Sequence, residues 1–89
     1  MKESVIERNL VSHIKSMGGI AYKFSSPGRR SVPDRIVLLP GGRIVFVELK
    51  APGKKLTKLQ ALERDRIRNL GFESILIDSK EGIKDAFPG

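Results

Sequence analysis

Two apolar runs, residues 35–39 and 43–50, are joined by nothing longer than Pro40-Gly41-Gly42. A connection so short and so rich in glycine makes them an antiparallel hairpin. Alternation along the second run puts Ile44, Phe46, Glu48 and Lys50 on one side, and Val45, Val47 and Leu49 on the other. Both sides are apolar for most of their length, the pattern of a central strand covered on both faces. The hairpin therefore predicts a sheet with layers above and below it.

The flanking sequence supplies those layers. Residues 4–17 carry Val5, Ile6, Leu10, Val11, Ile14 and Met17 at helical spacing, ended by Gly18-Gly19. Residues 20–24 read as a short strand, followed by a loop of turn residues and positive charge through Ser31. After Ala51-Pro52-Gly53, Thr57 is a plausible N-cap for a second helix running through Leu59, Leu62, Ile67 and Leu70 to Gly71. Residues 72–77 make a fourth strand, and residues 80–87 a final helical turn or two. The order is αβββαβ with a short terminal helix. With neither repeat nor linker, residues 1–89 read as one α/β domain.

A core of this size is near the lower limit for a chain without staples, and there is no cysteine to form one. Oligomerisation is a natural remedy. Any metal must sit on oxygen or on the single His13, which favours hard cations such as Mg²⁺ or Mn²⁺ over structural zinc. Seventeen Lys and Arg against ten Asp and Glu give a formal charge of +7, which calls for a polyanionic partner, usually nucleic acid. The longest apolar stretches are about six residues, against the roughly twenty that span a bilayer. With no signal peptide visible, no membrane partner and a cytoplasmic setting are expected.

The hairpin also arranges charge. Thirteen residues separate Asp34 from Glu48, and Lys50 follows two later. Antiparallel pairing sets the start of the first strand beside the end of the second, bringing Asp34 next to Glu48 and Lys50 at the rim of a core. Unpaired charge there is costly and usually has a reason. Phosphodiester hydrolysis needs an activated water and neutralisation of charge growing on the phosphate and the leaving oxygen, which a carboxylate-held divalent ion supplies. Asp34 and Glu48 are the natural ligands, and the Leu49 carbonyl is a candidate third. Lys50 can orient or deprotonate the attacking water, or pair with the phosphate. Arg29, Arg30, Lys54 and Lys55 lie in the loops flanking the acidic pair and are candidate phosphate contacts, together with Lys23 and Arg35. Each piece has an ordinary alternative. Pro33-Asp34 could be a turn, the Glu-x-Lys pair a surface salt bridge, and the basic residues solubilising charge. The rival functional reading is a non-catalytic DNA-binding module.

Pro33-Asp34 and Glu48-Leu49-Lys50 in this element order resemble the PD-(D/E)xK nucleases. The wider set is similar to their VRR-NUC branch in its small phage and bacterial form: Gly18-Gly19, Lys23-Phe24, Ser26-Pro27-Gly28, Val32-Pro33-Asp34-Arg35, Pro40-Gly41-Gly42, Phe46-Val47-Glu48-Leu49-Lys50-Ala51-Pro52-Gly53 and Gln60. The resemblance implies a restriction-endonuclease-like core, a mixed sheet flanked by helices. It assigns Asp34 and Glu48 as metal-binding acids, Lys50 as the catalytic lysine and Gln60 as a residue near the site. Glu7 corresponds best to the acid of the first helix, eleven residues before Gly18, with Glu3 as the lesser candidate. Ser31 departs from the glycine expected before Val-Pro-Asp, which bears on loop shape more than on chemistry. The implied activity is structure-selective cleavage of branched DNA, such as four-way junctions, by a homodimer, with repair or replication proteins as possible partners. Cleavage of other DNA structures or of RNA is the alternative within the same chemistry.

Overall fold

In the computed structural model, which describes residues 1–89, the elements are α1 (Glu3–Ser16), β1 (Ile20–Lys23), β2 (Arg35–Leu39), β3 (Arg43–Leu49), α2 (Lys58–Asn69), β4 (Glu73–Ile77) and α3 (Lys80–Ala86). The expected order holds, with boundaries moved by a residue or two, and the last segment is a helix of two turns. The four strands form one mixed sheet in the order β1-β2-β3-β4. β1, β2 and β3 are successively antiparallel, while β4 returns parallel to β3 through α2.

Local chemistry fixes the corners. Gly18, at φ 83°, ends α1 in the left-handed region, and the Gly19 N–H closes back on the Ile14 carbonyl at 2.9 Å. A Cβ on Gly19 would lie 2.5 Å from the Leu38 carbonyl oxygen, so the second glycine of the pair lets α1 turn directly onto the sheet. α2 opens with a full capping box: the Thr57 hydroxyl accepts from the Gln60 N–H at 3.1 Å, and the Gln60 side-chain oxygen accepts from the Thr57 N–H at 2.9 Å.

The core lies on one face only. Ile6, Leu10 and Ile14 of α1 pack with Ile83 and Phe87 at the C-terminal end against Val37, Val45, Val47, Leu49 and Ile77 of the sheet. On the other face α2 packs along β4, with Ile67 as its one buried apolar side chain. A chain of tilted and edge-on rings, Phe24–Phe46–Phe72, runs beside it at centroid separations of 6.0 Å. The expectation that both faces of β3 are covered is therefore met on one side and only partly on the other. Ile44 and Leu38 remain exposed because α2 sits over the β4 edge and not over the middle of the sheet.

The C-terminal apolar residues need no second subunit. Ile83 and Phe87 are buried in the protomer's own core, Ala86 packs against it, and Arg43 stacks over the Phe87 ring at 5.2 Å. His13 also points inward, its Nε2 lying 2.7 Å from the Phe87 carbonyl oxygen. No helix is long and apolar enough to cross a membrane.

Candidate active site

Register puts the acids together. Arg35 pairs with Val47, so Asp34 falls opposite Glu48, one step beyond the regular ladder. Asp34 Oδ2 accepts the Leu49 N–H at 2.7 Å, fastening the lead into β2 to the end of β3. Glu48 is held from the other side. Because the capping box occupies the side-chain oxygen of Gln60, its amide nitrogen is left to donate, and it does so to Glu48 Oε2 at 3.2 Å. The helix cap thus also orients a residue of the site.

Burial pushes the Glu48 carboxyl up to about 8. A hydrogen bond with Asp34 and repulsion by its charge push the same way; the Lys50 ammonium pulls back down, and the charge of Glu3 adds to the rise. Asp34, Glu48 and Lys50 are therefore brought together as expected. Nowhere in the chain do three or more His, Cys, Asp or Glu side chains gather in a way that could hold a metal. Two adjoining carboxyls, one of them resisting ionisation, nevertheless suit a divalent cation, whose charge offsets their mutual repulsion. Mg²⁺ commonly takes one or two carboxylates and keeps several waters. The donor set fits that habit, with the Leu49 carbonyl available at the same strand end.

The first helix departs from expectation. Glu7, the expected helix ligand, is engaged elsewhere: its Oε2 accepts from Arg35 Nε at 2.9 Å, and Arg35 Nη1 donates to the Ala21 carbonyl at 3.0 Å. Glu3, one turn earlier, is the helix acid whose charge reaches Glu48. This pairing also spends Arg35, one of the expected DNA contacts, since its side chain is mostly buried between α1 and β1. Arg29 bonds to Glu63 of α2 at 2.8 Å, tying the β1–β2 loop to the helix. Lys23, Arg30, Lys54 and Lys55 are exposed.

Two further residues belong to the picture. Arg64 lines a small cavity with Ser31, Pro33, Glu48 and Gln60. It stands one turn after Gln60, a spacing that marks it in the sequence once Gln60 is placed. Ser31 holds φ 64°, the chain's one non-glycine residue with positive φ, which explains why a glycine is expected there.

A mixed sheet whose hairpin end presents two adjoining acids and a lysine, walled by a crossover helix, defines the class as an α/β nuclease domain. No family model matches the chain. A solved structure described as "VRR_NUC domain" shares 30% identity and superposes with a TM-score of 0.90, over 96% of this chain and 92% of that one. A phage protein named "Putative nuclease p44", from Acyrthosiphon pisum secondary endosymbiont phage 1, is 54% identical over 81 residues, or 91% of this chain and 87% of the relative. The chain belongs to the VRR-NUC family.

Proposed function

We propose that the protein is a divalent-metal-dependent, structure-selective DNA endonuclease that cuts branched DNA, such as four-way junctions, as a homodimer. The observation that carries this reading is the Asp34–Glu48 carboxyl pair beside Lys50, built into a hairpin end and held by the Leu49 N–H and the Gln60 amide.

When bound, Mg²⁺ or Mn²⁺ supplies Lewis-acid neutralisation of the phosphate and lowers the pKa of coordinated water. Asp34, Glu48 and the Leu49 carbonyl would hold it, with Glu3 better placed than Glu7 to complete the set through water. Lys50 presents a compact positive charge beside Glu48, where a non-bridging phosphate oxygen would lie. Gln60 and Arg64 hold the opposite wall, Gln60 by fixing the orientation of Glu48. Water adds to phosphorus, the bond to the departing sugar oxygen breaks, and that oxygen leaves with a proton. Exposed Arg30, Lys54, Lys55 and Lys23 track the phosphate path, so recognition follows shape and backbone more than base sequence. The setting proposed is the cytoplasm of a bacterial or phage-infected cell, where a repair or replication protein could deliver the substrate.

A substrate panel tests the proposal: linear duplex, single strands, flaps, four-way junctions and RNA, each with Mg²⁺ and with Mn²⁺. Branched DNA should be cut preferentially, EDTA should abolish cleavage, and Lys50→Ala should slow it by ~10²-fold or more, the usual cost of losing one group that stabilises transition-state charge. Cleavage of nothing at low salt, or cleavage indifferent to EDTA and Lys50→Ala, would sink it. Metal titrations of Glu3→Gln and Glu7→Gln decide the helix acid, since only the first should weaken Mg²⁺ binding.

A further inference from the structure

We infer that the groove between α2 and the β1–β2 loop takes an unpaired nucleobase of the DNA, beside the phosphate that is cut. The inference rests on the nuclease reading above and deepens it, by naming the chemical feature through which branched DNA is told from duplex.

Leu59 and Leu62 stand 60% and 57% exposed, because the arc of α2 that faces the protein belongs to Gln60, Arg64 and Ile67. They are not scattered surface residues. With Arg29, Arg30, Glu63 and Arg66 they line one groove of about 450 Å³, within the ~300–1,000 Å³ of ordinary ligand sites. The groove adjoins the acid pair. Ser31, Gln60 and Arg64 line the small cavity that holds Glu48, and each is the immediate chain neighbour of a groove residue: Arg30, Leu59 and Glu63. On the helix, one residue is a turn of about 100°, so the groove occupies the next flank round from the site. A strand leaving Glu48 across α2 meets this groove first.

The chemistry of the lining identifies the occupant. The two leucines offer an apolar platform to the face of a base, as the pockets that hold extruded bases do. Arg30 and Arg66 are exposed and form no ion pair, so both are free for the phosphates that flank that base. Glu63 supplies an acceptor. Arg29 bonds to its Oε1 at 2.8 Å, which offsets the negative charge, ties the loop carrying Arg30 to the helix, and leaves Oε2 without a hydrogen-bond partner. A carboxylate turns a phosphate away, whereas every base carries an N–H on its Watson–Crick edge that can donate to it. In a duplex that N–H is already engaged. The groove therefore takes any base, provided that the base is unpaired.

Fluorescence anisotropy in EDTA, where metal-dependent cleavage does not intrude, tests this on the full chain. The probe is a labelled duplex carrying a single-stranded flap, compared with the fully paired duplex. Leu59→Ser and Leu62→Ser should each weaken flap binding by roughly fivefold or more, the low end for losing a base platform, and leave duplex binding unchanged. Replacing the flap nucleotides at the branch by abasic residues should cost the wild type a similar factor, and the two losses should not multiply. Both leucines are exposed, so circular dichroism should show the fold intact. A diazirine-bearing base in the flap needs no substitution in the protein: irradiation should attach it to the α2 peptide containing Leu59 and Leu62. Equal binding of abasic and intact flaps, losses that multiply, or attachment elsewhere overturns the inference. So does unchanged DNA binding by both serine variants with altered sedimentation, which would make the groove a protein contact. Coupled losses without cleavage in Mg²⁺ leave the groove and remove the nuclease; cleavage without coupling does the reverse.

Discussion

Ser31 is the residue at which backbone and side chain disagree. An L residue in the left-handed region is strained, and glycine relieves that strain at some entropic cost in the unfolded chain. Ser31→Gly should therefore stabilise the protein by about 0.5 to 1 kcal/mol in urea unfolding while leaving cleavage intact. Glu48 offers a second test, in pH. Its folded pKa of about 8 lies above the ordinary 4.5, so its contribution to stability is present at low pH and lost as pH rises through that interval. In EDTA, the melting temperature of the wild type should fall across this range relative to that of Glu48→Gln, and Mg²⁺ should restore it at the upper end by binding the ionised pair. A parallel decline in both proteins would place the titration elsewhere. The acid pair was legible in the sequence because a tight hairpin fixes register by counting. The choice between Glu3 and Glu7 was not, since they stand one turn apart on one stripe and only the seating of α1 on the sheet separates them.

Among the elements, α2 has the most divided task. Its capping box holds the first turn, and one arm of that box aims Gln60 at Glu48. Thr57→Ala should cost about 1 kcal/mol of stability by loss of the cap. It should leave the cleavage rate nearly unchanged, because the Gln60 side chain is oriented by the Thr57 main-chain N–H, which alanine keeps. Thr57→Ser, which keeps the hydroxyl, should recover the lost stability, and a rate that falls with Thr57→Ala would tie the hydroxyl, and not the main-chain N–H, to the site. The periodicity of α2 was plain in the sequence, but its direction was not. Spacing shows that Leu59, Leu62 and Leu70 share a stripe; the arc toward the sheet is claimed by Gln60 and Arg64, which wall the acid pair, and the leucines are turned aside. Ile83 and Phe87, from the short terminal helix and its end, complete the protomer's own core.

For the molecule as a whole, a formal charge of +7 makes DNA binding a matter of counterion release. Affinity should fall linearly with salt on logarithmic axes. Lys54→Ala and Lys55→Ala should each weaken binding evenly across DNA sequences and reduce the slope by about one. A base-dependent loss in fluorescence anisotropy would instead assign those residues to base readout. The mixed sheet flanked by helices was readable from the hairpin, the βαβ return and the helical periods. The uncovered half of one sheet face was not, because a strand apolar on both sides looks the same whether a helix lies over it or only over its neighbour.

The bond from the Leu49 N–H to Asp34 Oδ2 makes one acid a splice between neighbouring strands as well as a candidate ligand. Alanine at this position would strand a main-chain donor at the end of β3 and mix architectural damage with chemical loss. Asparagine keeps an oxygen for that N–H while removing the negative charge. Asp34→Asn should accordingly give a folded protein that binds DNA without cutting it, suited to trapping an uncut substrate so that its shape can be read from the complex.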